Sequence, residues 1–176
     1  TADSIVTSPA ELENRVGFIL ETHKQCALVE EFINGREFHV AVWGNGMISM
    51  LPAAEIDYCG LTDIHDRVFT YEAKYCPGSR LYERIDLCVP AELDPPALAE
   101  LERIVLATYR ATGCRDYGRI DVRYLNGVFY VIDVNPNPDI NPLTSMTCAA
   151  AEVGYSYGNM GSRIVNLAAA RHPVFR

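Results

Sequence analysis

The sequence lacks the features that mark several large classes of protein. Its longest uninterrupted apolar run, Val128 to Ile132, is too short to span a bilayer. The first residues lack the basic and apolar regions of a signal peptide, and no Asn-x-Ser/Thr glycosylation site occurs. No two of the cysteines form a Cys-x-x-Cys pair, which argues against a zinc site. We therefore expect a protein of the reducing cytoplasm.

Positive charge is also scarce. Lys and Arg number 15 against 23 Asp and Glu, and the formal net charge is -8, which argues against a nucleic-acid surface. An anionic ligand would need local cations or a metal ion. The sequence also has no Gly-x-x-x-x-Gly-Lys-Ser/Thr phosphate loop, Gly-x-Gly-x-x-Gly fingerprint, Gly-x-Ser-x-Gly elbow or His-Glu-x-x-His motif.

The composition that remains is that of a globular domain. With 176 residues, of which 49% are hydrophobic and 22% charged, the chain fits a single domain over residues 1–176. Apolar spacing and capping residues predict four helices, which run from Pro9 to before Gln25, from Pro95 to about Thr112, from Asn141-Pro142 to about Val153, and over Tyr157 to Ala170. The fold class predicted from these helices and the strands below is α+β.

Two hairpins are predicted between the helices. The first joins strands over Ala27 to Ile33 and Glu37 to Trp43 through Asn34-Gly35. A short strand follows Gly44-Asn45-Gly46, and residues 56–87 are predicted to form a long loop with short extended pieces. The second hairpin joins Tyr117 to Tyr124 with Val128 to Val134. We expect its even-numbered residues to face the core.

The odd-numbered face of the second hairpin carries most of its ionisable groups, which are Arg119, Asp121, Arg123 and Asp133, followed by Asn135. Cross-strand partners of equal parity would bring the two apolar faces together. This requirement predicts a three-residue loop with Gly127 in the left-handed conformation. It places Arg119 opposite Asp133 and Asp121 one step diagonal to it.

Asp121, Asp133 and Asn135 together offer the hard oxygen ligands that Mg²⁺ prefers, which suggests phosphate chemistry. A surface sheet face with an Arg119–Asp133 salt bridge is the alternative. The alternating prolines of Asn135-Pro136-Asn137-Pro138-Asp139 favour a site, because they stiffen the backbone immediately after the strand.

These motifs resemble the ATP-grasp superfamily, most closely its D-alanine:D-alanine ligase-like branch. Gly118-Arg119-Ile120-Asp121-Val122 with Asp133-Val134-Asn135-Pro136 is similar to the metal-binding hairpin. The segment from Val29 to Ile33 is similar to the adenine-binding hinge, and Gly35 to Phe38 would supply the strand that follows it. Tyr71 to Tyr75 is similar to the phosphate-contacting lysine segment.

The resemblance implies a role for each motif residue. Glu30 would meet the adenine edge, Phe32 and Ile33 would lie at the hinge backbone, and Glu37 would accept from the ribose hydroxyls. Lys74 and Arg119 would stabilise the transferring phosphoryl group and the transition state. The metal ligands for one or two Mg²⁺ ions would be Asp121, Asp133 and Asn135.

The implied activity is an ATP- and Mg²⁺-dependent ligation of a carboxylate to an amine or peptide through an acyl phosphate. A kinase of the same fold and a non-catalytic nucleotide-binding module are the alternatives.

The sequence departs from the family pattern at two positions. Asp133 stands where the family has glutamate, and Asp139 stands where D-alanine ligases have glycine, so we expect little D-alanine:D-alanine ligation. The resemblance places the chain in the C-terminal portion of the ATP-grasp domain. Because the upstream substrate and glycine-rich-loop regions are expected to be absent, we also expect weak ATP binding and essentially no turnover from this chain alone.

Overall fold

The computed structural model of the chain describes residues 2–58, 60–70, 78–80 and 83–175 and divides into two units. The first unit comprises Thr1–Asn34 and Tyr58–Asp86, and the second comprises Gly35–Asp57 and Leu87–Arg176. Within the described ranges, no helix combines the length and apolar character needed to cross a membrane. That residues 1–176 form one domain stays a prediction.

The first unit contains helix α1, which spans Pro9–His23 as predicted. The Ser8 hydroxyl accepts a hydrogen bond from the backbone N–H of Glu11 at 3.3 Å, and Pro9 lies in the first turn, where no N–H is needed. Lys24 ends the helix in the left-handed conformation, with a φ of 53°. Short 3₁₀ turns at Ala2–Ser4 and Ile64–Asp66 are the other regular elements described in this unit.

The second unit is built on a sheet in the order β4-β3-β1-β5-β6, with β2 beside β1. Its strands are β1 (Arg36–Gly44), β2 (Ile48–Met50), β3 (Ala54–Asp57), β4 (Asp86–Cys88), β5 (Tyr117–Leu125) and β6 (Val128–Asn135). β1 pairs antiparallel with β2, β3 and β5, and β5 pairs antiparallel with β6. β1 and β5 thus lie at the centre of the sheet.

The predicted strand over residues 27–33 is not formed. A hairpin onto β1 requires an unpaired edge of β1, but β5 occupies one edge and β2 and β3 occupy the other. Glycine is required at position 35 by a close approach to β5 and not by a hairpin turn. A Cβ atom at this position would lie 2.1 Å from the backbone oxygen of Tyr124, so only glycine lets the chain pass this close to β5.

One face of the sheet packs against helix α2, which spans Pro95–Ala111. Strands β1 and β5 contribute even-numbered residues to this buried cluster, and α2 contributes residues at helical spacing; the members include Phe38, Val40, Val42, Ile120 and Val122 with Leu101, Val105 and Tyr109. Burying an apolar side chain of this size stabilises a fold by about 1.5–3 kcal/mol. The alternation along β1 therefore fixes which of its residues face α2.

The opposite face packs against helices α3 (Ser145–Glu152) and α4 (Tyr157–Ala169). Ala41 and Trp43 of β1 form a second buried cluster with Leu51, Met146, Ala149, Ala150 and Met160. Helix α3 begins later than predicted, because Thr144 and not Asn141 is its N-cap. Leu143 has a φ of 72°, a left-handed conformation through which a helix cannot continue.

The C-terminal end of α4 is tied to the sheet by a polar network around Asp116, which is 8% exposed. The Asp116 carboxylate accepts from Nε of Arg171 at 2.7 Å, from the second guanidinium nitrogen of Arg171, and from Nδ2 of Asn45 at 2.9 Å. Asn45 also donates to the carbonyl of Leu167 at 3.1 Å. The network joins the turn after β1, the start of β5 and the end of α4.

Candidate functional site

A group of polar side chains shares the sheet face that also carries Ala41 and Trp43. We call it the polar group; it consists of Glu37 and His39 on β1, Arg119, Asp121 and Arg123 on β5, and Asp133 and Asn135 on β6. The register explains the juxtaposition, because Glu37 pairs with Arg123 and His39 pairs with Asp121. Odd-numbered positions of β1 and β5 therefore point to one side of the sheet together.

The turn and the strand pairing of the β5–β6 hairpin differ from those predicted from the sequence. Its turn has two residues, Asn126 and Gly127, at φ 52° and 82°, with Leu125 paired to Val128. A bulge then shifts the register, so that Val122 pairs with Val131 but Asp121 pairs with Asp133. The predicted three-residue loop and the Arg119–Asp133 pairing were wrong. A bulge supplies the same parity at the site as the longer loop would have done.

The two-residue turn also changes which residues of β6 face the core between the turn and the bulge. Phe129 packs against the cluster under α2, with its ring 6.3 Å from that of Phe38. Val128, Tyr130 and Ile132, which the alternation placed in the core, are 48%, 38% and 46% exposed. The even-numbered assignment holds on β5, at Ile120 and Val122, but fails over most of β6 because the two-residue turn inverts the parity there.

Asp121, Asp133 and Asn135 converge on one point of the polar group. Nδ2 of Asn135 lies 3.2 Å from Oδ2 of Asp121 and 3.1 Å from Oδ2 of Asp133. A hydrogen-bond donor thus stands between two carboxylates, where their negative potentials add. In the described part of the chain, no group of three or more His, Cys, Asp and Glu side chains is placed to hold a metal ion. The donor set here is two carboxylates and one amide, which fits a hard cation such as Mg²⁺.

Arg119 is hydrogen-bonded to the carboxylate of Asp121. Its Nε and terminal nitrogen donate to the two oxygens of Asp121 at 2.7 and 2.8 Å, a bidentate arrangement. Burial lowers the pKa of Arg119, but the hydrogen bonds to Asp121 and the nearby carboxylate charges outweigh that effect, so its pKa is raised above the ordinary value. Arg119 is therefore a permanent cation at the centre of the polar group.

Glu37 lies deeper in the polar group, with its side chain 7% exposed. Its Oε2 accepts from a terminal nitrogen of Arg123 at 2.5 Å, and its Oε1 lies 3.4 Å from Nε2 of His39. Nε2 of His39 is also 3.8 Å from Oδ2 of Asp121. Neither His39 nor Arg123 is among the site residues predicted from the sequence. The odd parity that they share with Glu37 and Asp121 was the signal for including them.

The segment after β6 is fixed by its own side chains. The Asn137 carboxamide oxygen accepts from the Tyr117 hydroxyl. Oδ1 of Asp139 accepts from the backbone N–H of Asn141 at 2.9 Å, and the Asp139 carbonyl accepts from the Thr144 hydroxyl at 3.1 Å. The Asp139 carboxylate therefore supports the turn that leads into α3.

The remaining predicted site residues do not belong to the polar group. Glu30, Phe32 and Ile33 lie in the first unit, where Glu30 is exposed, Phe32 is half-buried and Ile33 is 9% exposed. The prediction for Lys74 lies outside the described residues. The roles assigned to all of these residues stay predictions.

A model of the protein family described as "D-ala D-ala ligase C-terminus" matches residues 4–166. The chain belongs to this family. A protein of Sinorhizobium fredii named "Uncharacterized protein y4sG" is 34% identical over 169 residues, which are 96% of this chain and 48% of that protein. The D-alanine–D-alanine ligase of Mannheimia succiniciproducens is 33% identical over 165 residues, which are 93% of this chain and 49% of the ligase.

Solved structures of family members share the fold. The D-alanine–D-alanine ligase from Bacillus anthracis, complexed with ATP, has a TM-score of 0.74 at 20% identity over 94% of this chain and 48% of that one. The VanG D-Ala:D-Ser ligase from Enterococcus faecalis has a TM-score of 0.69 at 22% identity over 95% of this chain and 46% of that one. The predicted α+β, ATP-grasp fold is confirmed. The chain spans about half the length of the relatives it matches.

Proposed function

We propose that the chain forms the nucleotide- and metal-binding part of an ATP- and Mg²⁺-dependent ligase that joins a carboxylate to an amine. The observation that carries the proposal is the convergence of Asp121, Asp133 and Asn135 beside Arg119 on one sheet face. The names of the relatives favour ligation over the kinase alternative, because D-alanine–D-alanine ligases recur among them.

The proposed reaction has two steps. The γ-phosphoryl group of ATP passes to an oxygen of the substrate carboxylate and leaves ADP; the amine then attacks the acyl phosphate and releases inorganic phosphate as the amide forms. Mg²⁺ held by Asp121, Asp133 and Asn135 would offset phosphate charge. Arg119 lies beside these ligands and would stabilise the charge that develops on the transferring group.

The nucleotide would be bound by Glu30, Phe32 and Ile33 at the adenine and by Glu37 at the ribose. The ATP complex of the Bacillus anthracis ligase supports ATP as the nucleotide. Lys74 would contribute a phosphate contact. Small amino-acid or peptide substrates are proposed because the relatives are named as ligases of D-alanine.

Asp121→Asn tests the metal assignment. The variant keeps the shape of the side chain but removes the charge, so Mg-ATP affinity should fall by about tenfold or more while metal-free adenosine affinity changes little. Titration calorimetry on the folded variant measures both. Asp86→Asn, at an exposed position of β4, is the matched control and should leave both affinities unchanged. Equal losses for Mg-ATP and adenosine would contradict the metal role of Asp121.

A further inference from the structure

A buried ion pair links the two central strands within the polar group. Arg123 and Glu37 are direct cross-strand partners, and their side chains are 5% and 7% exposed. Of these two residues only Glu37 has a proposed ligand, the ribose of ATP. The family resemblance implies a ribose-binding role for Glu37 and no role for Arg123.

We propose that Arg123 is a positioning residue that holds the Glu37 carboxylate in the orientation from which it accepts the ribose hydroxyls of ATP. The inference rests on the proposed function and deepens it. Arg123 donates to Oε2 of Glu37 at 2.5 Å, while Nε2 of His39 stands 3.4 Å from Oε1. Arg123 and His39, which both belong to the polar group, thus contact the two oxygens of the Glu37 carboxylate.

Burial explains why Glu37 needs this partner. An ionised carboxylate removed from water is costly unless it is paired and hydrogen-bonded. Without the guanidinium, Glu37 would take up a proton or rotate toward solvent, and either change removes the acceptor from the ribose. Arg123 therefore acts on the nucleotide through Glu37 and need not touch the nucleotide itself.

The test compares two nucleotides that differ only in the ribose hydroxyls. Calorimetric titration with Mg-ATP and with Mg-2′,3′-dideoxy-ATP gives an affinity ratio for each variant. The wild-type chain should prefer ATP by about tenfold, since hydrogen bonds to a charged acceptor are strong. Glu37→Gln and Arg123→Met should both reduce the ratio to near one. Loss of fold stability by itself lowers both affinities together and leaves the ratio unchanged, so the ratio distinguishes positioning from structural support.

Two further variants make the comparison sharper. Arg36→Met is the matched control, because Arg36 is the neighbour of Glu37 on β1 but pairs with Glu55 at 2.7 Å; it should keep the wild-type ratio. Arg123→Lys retains one cation without the guanidinium fork and should give an intermediate ratio. If Arg123→Met does not fold, the lysine variant carries the test alone.

Each result bears on the inference. A wild-type ratio near one would overturn both the ribose role of Glu37 and the positioning role of Arg123, whereas Mg-dependent ATP binding would be judged separately by Asp121→Asn. A wild-type preference for ATP that persists unchanged in Arg123→Met, or in Arg123→Lys where only that variant folds, would overturn the positioning role alone. A preference lost in Arg123→Met and kept in Arg36→Met would support it.

Discussion

Replacing Asp116 by Asn should separate the C-terminal end of α4 from the sheet. The carboxylate accepts two hydrogen bonds from Arg171 and one from Asn45. The substituted amide offers one acceptor oxygen. Its NH₂ group faces Nε of Arg171 and Nδ2 of Asn45 if it takes the place of Oδ1, or the second guanidinium nitrogen of Arg171 if it takes the place of Oδ2. Arg171 and Asn45 thus lose a shared anion, and at least one of their N–H groups loses its acceptor.

The cost follows from these contacts. Hydrogen bonds to charged groups contribute about 1.5–3 kcal/mol, and the pair is weakened by solvent because the Arg171 side chain is 39% exposed. We expect Asp116→Asn to lower the free energy of unfolding by about 2 kcal/mol in total. For a chain of this size, that loss corresponds to a fall in Tm of about 4–8 °C.

The effect should depend on pH in one direction. The hydrogen bonds from Arg171, helped by that from Asn45, hold the pKa of Asp116 below its ordinary value despite burial. A carboxyl group whose pKa is lower in the folded state stabilises the fold above its unfolded pKa of about 3.9, and this contribution is lost as the pH falls through the folded pKa. Wild type and Asp116→Asn should therefore differ at neutral pH and converge in acid.

Urea and thermal denaturation followed by circular dichroism measure the difference across pH. The control is Glu100→Gln, which breaks an exposed pair with Arg103 on α2 and should change stability by no measurable amount. The reasoning fails if Asp116→Asn is no more destabilising than this control. It also fails if the difference from wild type persists unchanged below the folded pKa of Asp116.

Two other variants probe the site. Arg119→Met should weaken ATP binding but strengthen binding of Mn²⁺ or Mg²⁺ alone by severalfold, because both oxygens of Asp121 lose their bidentate partner. Calorimetry with the metal alone measures the second effect. A metal affinity that stayed the same or fell would contradict the prediction. Asp139→Gly should increase ligation of D-alanine as acceptor in a full-length enzyme that contains these residues, because the variant removes a negative charge that repels a free α-carboxylate. Mass spectrometry of the products measures the amount of D-alanine ligated. No increase would argue against an acceptor role for Asp139. Since Asp139 also accepts from the backbone of Asn141, the fold of that variant needs checking by thermal denaturation.

The helices could be predicted from the sequence because their signals are local. Pro9 and Pro95 suit a first helical turn, and apolar residues at helical spacing follow each of them, so α1 and α2 could be predicted close to their observed bounds. The start of α3 was missed because the left-handed backbone at Leu143 has no sequence signal of its own. Leucine rarely adopts this conformation, so a cap at Asn141 was the natural expectation.

The errors in the sheet arose from information that is not local. Whether the segment 27–33 pairs with β1 depends on which strands already occupy the edges of β1, and these come from distant parts of the chain. The bulge lies between the Asp121–Asp133 and Val122–Val131 pairs, and no turn residue or local spacing marks its position. Parity requirements predicted that the two acidic residues share a face, but not the pairing that achieves it.

The charges of the polar group explain why a nucleotide would need its metal here. Three carboxylates, those of Glu37, Asp121 and Asp133, stand with two guanidinium groups. Arg119 and Arg123 are already engaged by Asp121 and Glu37, so Asp133 adds an anion without a guanidinium partner of its own among the ion pairs of the described residues. A bare triphosphate would meet this negative charge, and the net charge of -8 gives no general attraction to offset the repulsion. A divalent cation between Asp121 and Asp133 would reverse the sign of the local potential. Metal and ATP should therefore bind with positive cooperativity, and either one alone should bind weakly.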